Sequence, residues 1–145
     1  MPSKNSILSC TCGSNIPRNA CCGPYLDGTA RPSTATQCMR SRYAAFVENN
    51  VEYLLASWHP MTRPRSVETS SSTIWLVLTI KQSENGAEND SDGVVEFVAR
   101  YRENGKALRL HEVSQFKKES GEWFYFDGNL VNSKKSRKSN GQSIS

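Results

Sequence analysis

Four of the five cysteines in this chain lie between residues 10 and 22, as Cys10-x-Cys12 followed by the adjacent pair Cys21-Cys22. Such a cluster can be a disulfide staple, a redox pair or a metal site. A disulfide between neighbouring cysteines is strained, and the C-x-x-C spacing typical of a redox pair is absent. Four thiolates in a short loop match the tetrahedral, all-sulfur coordination of structural zinc. The spacing therefore predicts a metal site formed by these four cysteines.

The loop between the two cysteine pairs is suited to a closed metal site. Backbone N–H groups near Gly13–Asn15 can donate to the ligand sulfurs, and Arg18 can offset part of the negative charge of four thiolates. We expect no open coordination position, which favours a structural metal over a catalytic one. The fifth cysteine, Cys38, falls on the apolar side of a predicted helix and is expected in the core.

The chain carries no pattern of a membrane span or a secretory leader. No apolar run approaches the roughly 18 residues that a spanning helix needs. Near the start, the only apolar stretch is the pair Ile7–Leu8, which is too short for a signal peptide. We therefore expect a cytoplasmic protein, and disulfides are disfavoured in that compartment.

The basic charge is concentrated at the C-terminal end of the chain. In total, 18 Lys and Arg residues against 14 Asp and Glu residues give a net charge of +4. The segment 131–145 holds four basic residues and no acid, so it accounts for this excess. We expect a disordered basic tail there, either simply solvated or in contact with RNA or ribosomes. Residues 1–9 are expected to form a flexible lead-in.

Two helices are predicted ahead of any strand. Ser33 or Thr34 can cap a helix that begins near Ala35, where apolar residues then recur at helical spacing. Asn50 can cap a second helix, whose apolar residues continue at helical spacing to Trp58. The segment between the cysteines and the first helix, residues 24–33, contains Pro, Gly and Asp and predicts a connecting loop.

The remainder of the chain predicts an antiparallel meander of about four strands. β-Branched and aromatic residues mark four segments, at 73–80, 94–102, 107–119 and 123–128. Asn104-Gly105 indicates a tight hairpin, the polar segment 83–92 a loop, and Asp127-Gly128 a turn after the last strand. Helices followed by a meander predict an α+β fold with helices packed on one face of the sheet.

Several segments also resemble a known family. The stretch "CTCGSNIPRNACCG" resembles the SEC-C metal-binding motif, C-x-C-G-S followed by C-C or C-H, which occurs at the end of the SecA translocation ATPase. The stretches "MRSRYAAFV", "YLLASWHPMTRP", "VEFVARYR" and "WFYFDG" are similar to successive signatures of the YchJ-like family. The resemblance covers about residues 10–130. It implies a SEC-C knot at 10–23 and an NTF2-like domain at 34–130, a cystatin-like cone with helices packed on a curved antiparallel sheet.

An NTF2-like sheet curves around its helices and often leaves a pocket on the concave face, so the resemblance also implies a candidate pocket. Glu112 and Ser114 share a strand face with apolar residues and would point towards it. The motifs "MRSRY" and "WHP" place further polar and aromatic residues beside it. The candidate pocket residues are Arg40, Arg42, Tyr43, Trp58, His59, Glu112 and Ser114.

Glu112 is the notable member of this set, because an acid on an apolar face must be paired or protonated. Arg40, Arg42 and His59 are its candidate partners. An Arg–Glu pair at a pocket mouth can be catalytic, but it can equally fix a helix on a sheet, and we favour the structural interpretation. His111 falls on the opposite strand face and is not expected to form a dyad with Glu112.

The sequence thus favours a metal-binding interaction or adaptor module whose scaffold has room for a ligand. Zinc is the expected metal, and the SEC-C resemblance keeps iron open. By analogy with the family, the partner would be a protein of export or of the ribosome. One alternative is a small-molecule enzyme with a pocket around Glu112, Arg40 and Arg42; another is RNA or ribosome association through the basic tail. No residue is assigned a catalytic role.

Overall fold

The computed structural model describes residues 9–131. Nearly all of the expected lead-in (1–9) and basic tail (131–145) lies outside the described residues. The same holds for the predicted contact between the tail and RNA or ribosomes.

Within residues 9–131, three α-helices precede the sheet: α1 at Gly23–Asp27, α2 at Ala35–Val47 and α3 at Val51–Ala56. The caps expected for α2 and α3 are present. Thr34 Oγ1 accepts a hydrogen bond of 3.1 Å from the Gln37 backbone N–H, and Asn50 Oδ1 accepts one of 3.0 Å from the Tyr53 backbone N–H. Both bonds satisfy N–H groups that a helix start leaves without a partner.

Helix α1 differs from the sequence-based prediction, which gives a connecting loop at residues 24–33. Pro24 lies in its first turn, where a missing N–H costs nothing. Gly28 ends the helix in the left-handed conformation at φ 87°, which glycine adopts without strain. With only five residues, this helix is too short for its apolar spacing to be recognised in the sequence.

The four strands form one antiparallel sheet in the order β1-β2-β3-β4. Their bounds are Thr73–Asn85, Asp92–Glu103, Lys106–Glu119 and Glu122–Leu130. The β2–β3 turn uses Asn104 and Gly105, both at positive φ (50° and 82°), as the hairpin prediction requires. The expected arrangement of helices on an antiparallel sheet is confirmed.

Two sequence-based assignments within the sheet were wrong. Strand β1 continues to Asn85, so the first residues of the predicted loop 83–92 are strand. Asp127 and Gly128 lie inside β4 instead of forming a turn after it. In both places, pairing with a neighbouring strand overrides the local preference of Asn, Asp and Gly for turns.

The sheet is irregular at three positions. Register shifts occur between Trp75 and Val77, between Ile80 and Gln82, and between Gln115 and Phe116. Such bulges bend a strand and increase its twist. They give the sheet a curved face towards α2, which contacts β1, β2 and β4.

The segment after α3 covers the outer edge of β4. The His59 N–H donates to the Tyr125 carbonyl at 2.8 Å, and the Tyr125 N–H donates to the Ser57 carbonyl at 2.9 Å. This pairing satisfies backbone groups that an edge strand would otherwise leave open. Within residues 9–131, no helix is long and apolar enough to cross a membrane.

Candidate metal centre and the cavity beside it

The four clustered cysteines lie close enough to share one metal ion. Their Sγ atoms all lie within 4.8 Å of one another. The Cys12 and Cys21 sulfurs are 3.6 Å apart, and those of Cys21 and Cys22 are 3.9 Å apart. A tetrahedral zinc site with Zn–S bonds of about 2.3 Å places its sulfurs roughly 3.8 Å apart. The donor set and its spacing therefore fit a four-thiolate metal site.

Local backbone turns bring the two cysteine pairs together. The Gly13 N–H donates to the Cys10 carbonyl at 3.1 Å, with Gly13 at φ 88°. The Cys10 N–H donates to the Ile16 carbonyl at 2.8 Å, which closes the loop on itself. A short 3-10 turn at Arg18–Ala20 then leads into the second pair, and Cys22 directly precedes α1.

Groups around the sulfurs support a charged cluster. Ser14 Oγ lies 3.0 Å from Cys21 Sγ. The pKa of the Cys12 thiol is lowered to about 4, chiefly by a hydrogen bond from Cys22, with help from Ser14. That same hydrogen bond, followed by burial, raises the pKa of Cys22, and burial raises the pKa of Cys21. Metal binding requires deprotonated thiols, so a bound cation would favour the ionised form of the cluster.

The cysteine knot is fixed to the body of the protein by two arginines. Arg40 Nη1, on α2, donates to the Cys12 carbonyl at 2.7 Å. Arg18, in the knot, forms a two-bonded ion pair with Glu48 just after α2, at 2.7 and 2.8 Å. The side chains of the clustered cysteines also pack into the body: Cys10, Cys12 and Cys22 belong to the same apolar core as α2 and the sheet.

Cys38 stands apart from the cluster, on α2. It is fully buried, and its Sγ donates to the Trp123 carbonyl at 3.7 Å. Burial raises the pKa of its thiol to about 12. The expectation of a core cysteine at this position is confirmed.

A cavity of about 340 Å³ lies between α2 and the curved face of the sheet. Four of the seven candidate pocket residues line it: Arg42, Tyr43, Glu112 and Ser114. The other lining residues are mainly aromatic or aliphatic, and they come from α2 and all four strands.

The remaining three candidate residues have other positions. Arg40 contacts the Cys12 carbonyl in the knot. Trp58 packs its ring edge-on against Tyr125, with the ring centroids 5.0 Å apart. His59 contacts the rings of Phe124 and Phe126 and lies 3.6 Å from a Glu119 carboxylate oxygen. Pairing of segment 57–59 with β4 directs His59 to the sheet face opposite the cavity.

Arg42 and Glu112 both lie in the cavity wall without forming an ion pair. Arg42 Nη1 donates to the Leu54 carbonyl and to Ser57 Oγ, each at 2.8 Å. Its guanidinium also lies over the Trp58 and Tyr125 rings. Among the ion pairs of residues 9–131, none joins Arg42 to Glu112.

Glu112 is buried, at 4% exposure. Ser114 Oγ donates to its Oε1 at 2.7 Å, and within residues 9–131 its Oε2 has no hydrogen-bond partner. Burial is the main cause that raises the pKa of this carboxyl. His111, on the opposite face as expected, pairs with Glu96 at 2.7 Å.

Gly128 makes room for Glu112, a role that the sequence analysis missed. A Cβ at this position would lie 2.5 Å from the Glu112 Cδ atom, so only glycine leaves room for the carboxyl group. A glycine within a strand often marks the close approach of another group. The sequence shows this glycine after an apolar segment, but Asp127-Gly128 also matches a turn, which is the structure that the sequence analysis predicts.

The described residues thus form an NTF2-like α+β domain with an N-terminal four-cysteine knot. Comparison with known proteins assigns this architecture to a family. The family model "YchJ, middle NTF2-like domain" matches residues 34–128. A UPF0225 protein from Chromobacterium violaceum is 46% identical over 129 residues, which cover 86% of this chain and 95% of that protein. A UPF0225 protein from Bordetella parapertussis is 43% identical, over 87% of this chain and 96% of its own.

Solved structures agree with this assignment. The solution structure of a SEC-C motif containing protein from Rhodopseudomonas palustris superimposes with a TM-score of 0.77 at 32% identity, covering 86% of this chain and all of that one. The crystal structure of a SEC-C motif containing protein from Psychrobacter arcticus, at 22% identity, shares the fold with a TM-score of 0.67, over 95% of this chain and 88% of its own. The chain belongs to the YchJ-like (UPF0225) family.

Proposed function

We propose that the chain is a metal-dependent adaptor, in which the four-cysteine knot binds one structural zinc ion and presents a rigid surface to a protein partner. The observation that carries this proposal is the set of four sulfur atoms within 4.8 Å of one another. Four thiolates fill a tetrahedral shell and leave no position open for substrate, so the metal has a structural role. Iron is the second candidate for this donor set.

The surface for the partner is the loop that joins the two cysteine pairs. Ile16 is 45% exposed there and offers an apolar side chain to a partner. Arg18 is already held by Glu48, so the loop has a fixed orientation on the body. A rigid loop loses little conformational entropy on binding, which favours recognition. By analogy with other SEC-C proteins, the partner belongs to protein export or to the ribosome.

The metal part is tested by elemental analysis of protein purified without added metal. We expect one zinc per chain in the unaltered protein and loss of this metal when Cys21 and Cys22 are both changed to serine. Cys38→Ser is the matched control, because Cys38 is a buried cysteine outside the cluster. Equal metal content in all three proteins would exclude the cluster as the site.

The partner part is tested by a photoreactive amino acid at position 16, introduced in cells that express the protein. The control carries the same group at Met61, which is 78% exposed and lies outside the knot. We expect a defined cross-linked protein from position 16 only, and its loss in the Cys21→Ser/Cys22→Ser background. Adducts that form equally at both positions, or that persist without the ligands, would contradict the adaptor role.

A further inference from the structure

The cavity beneath α2 is large enough for a small molecule. Its volume of about 340 Å³ lies within the range of roughly 300–1,000 Å³ that is common for ligand sites. Protein interiors seldom leave voids much larger than a water molecule. The space is therefore not an ordinary packing gap, and the walls indicate what it can hold.

Aromatic rings form one side of the cavity wall. The Tyr43 and Phe46 rings lie 5.8 and 5.7 Å from the Trp75 ring, centroid to centroid. Phe46 and Trp75 are partly exposed, whereas Phe97, which also lines the cavity, is buried. Such ring surfaces favour a flat, apolar ligand.

In this apolar wall, the Oε2 atom of Glu112 lacks a hydrogen-bond partner. Ser114 satisfies Oε1, but Oε2 has no partner within residues 9–131. The neighbouring strand β4 provides no side-chain partner for Oε2. Its residue beside Glu112 is Gly128, and a side chain at that position would collide with the carboxyl group. Buried polar atoms without partners are rare, and each costs free energy. A ligand atom beside Glu112 is the partner that these residues lack.

The surroundings of Glu112 decide which ligand atom fits. Burial raises the pKa of the carboxyl and Asp127 adds to this effect, while the Ser114 hydrogen bond and the Arg42 charge oppose it. In the protonated form, which burial favours, Oε1 accepts from Ser114, so the proton lies on Oε2 and is donated from there. The positive charge of Arg42 also favours an oxygen acceptor over an ammonium group.

We propose that this cavity binds a flat, mainly apolar small molecule that carries one oxygen acceptor, a carbonyl or carboxylate, hydrogen-bonded to Glu112 Oε2. The aromatic wall formed by Tyr43, Phe46 and Trp75 holds the apolar part. None of the four clustered cysteines lines this cavity, and its test uses the protein as purified.

Three probes of similar shape test the proposal on the unaltered full chain by equilibrium dialysis. Acetylnaphthalene carries the oxygen acceptor, ethylnaphthalene has none, and naphthylethylamine carries a cation. We expect acetylnaphthalene to bind about fivefold more tightly than ethylnaphthalene, the effect of one net hydrogen bond, and the amine to bind most weakly. Equal or tighter binding of ethylnaphthalene, tightest binding of the amine, or no binding of any probe would overturn the proposal.

Two variants locate the binding. Ala99→Phe fills the cavity and should abolish binding of all three probes, whereas Leu108→Phe adds the same ring at an exposed position and should leave it unchanged. Glu112→Leu should remove the fivefold preference for the ketone and retain ethylnaphthalene binding. Binding that persists in Ala99→Phe at the level of Leu108→Phe would place the probes elsewhere. Because the probe comparison uses the unaltered chain, the proposal stays falsifiable if a variant does not fold.

Discussion

Glu112, in the cavity wall, packs closely against Gly128 of the neighbouring strand. The carboxyl group of Glu112 occupies the volume that a side chain at position 128 would need. A buried acid is usually destabilising, and here the shape of the neighbouring strand is adapted to it. Two properties of Glu112 can be measured at the scale of single residues, its packing against Gly128 and its ionisation.

The first concerns Gly128→Ala. The added methyl group would lie 2.5 Å from Glu112 Cδ, and overpacking of this kind lowers the free energy of unfolding by about 1–3 kcal/mol. Urea unfolding should show this loss in the unaltered background and a much smaller one in a Glu112→Ala background, where the clash is absent. Asn129→Ala, at the exposed next position, serves as a control with little effect. The same loss in both backgrounds would show that the two residues do not meet.

The second concerns the pH dependence of stability. Folding raises the pKa of Glu112 above its ordinary value of 4.5, mainly through burial, so the folded state binds this proton more tightly than the unfolded chain does. The contribution of this proton to the free energy of unfolding is therefore full below pH 4.5, and it is lost as the pH rises through the pKa of Glu112 in the folded state. Glu112→Gln keeps the acceptor for Ser114 and cannot ionise.

Measured as unfolding free energy against pH, the Gln variant should become more stable relative to the parent as the pH rises from acidic to neutral. Asp127→Asn, which removes the acid that reinforces the shift, should weaken this trend. A parent and a Gln variant with parallel pH profiles would mean that the carboxyl has an ordinary pKa in the folded protein.

At the scale of elements, helix α2 holds both the knot and the cavity. Arg40 faces the Cys12 carbonyl, and three residues later Tyr43 lines the cavity. Residues three apart on a helix lie on neighbouring positions of its surface. One helix therefore connects the candidate metal site, formed by loops, to a cavity lined by the sheet.

Two arginines that tie the knot to this helix provide a matched comparison. The hydrogen bond from Arg40 to the Cys12 carbonyl is partly buried, and bonds from charged groups contribute about 1.5–3 kcal/mol. The Arg18–Glu48 pair is exposed, and such pairs contribute about 0–1 kcal/mol. Arg40→Met should therefore reduce unfolding free energy clearly more than Arg18→Met, and should speed amide hydrogen exchange at Cys12–Asn15. Equal losses from the two variants would contradict this account.

Most elements were predictable from the sequence because their signals are local. Thr34 and Asn50 cap the two predicted helices, and Asn104-Gly105 forms the predicted hairpin. The features that could not be predicted from the sequence depend on pairing between segments that are distant in the chain. His59 lies outside the cavity because segment 57–59 pairs with the edge of β4. No local sequence pattern encodes that contact.

The candidate site shows the same division. The four cysteines were recognised by residue type and spacing, and their sulfurs do come together. The close approach of Glu112 to Gly128 depends on the register of β3 against β4, which includes a shift next to Phe116. A one-residue change of register turns every side chain of a strand to the other face, so this contact could be found only in the structure.

At the scale of the whole molecule, the four-cysteine knot and the body share one core. If the knot were independent of the body, residues 34–130 would stay folded without metal. Three of the four clustered cysteines, however, are buried in the core that α2 and the sheet form. Loss of the metal should therefore also weaken the body.

We expect a chelator to lower the midpoint of thermal unfolding of the whole chain by roughly 10 °C or more, the shift that a loss of a few kcal/mol produces. Restoring zinc should restore the midpoint. The Cys21→Ser/Cys22→Ser variant, already without the metal site, should not respond to the chelator. A midpoint unaffected by chelation in the unaltered chain would mean that knot and body are energetically independent.

The central claim is that Cys10, Cys12, Cys21 and Cys22 together bind one structural metal ion. X-ray absorption spectroscopy of the protein as purified tests it most directly, because the edge energy identifies the element and the fine structure gives its ligands. The account predicts a zinc edge and a shell of four sulfur atoms at about 2.3 Å. A shell with nitrogen or oxygen ligands, or protein that binds no metal, would contradict it.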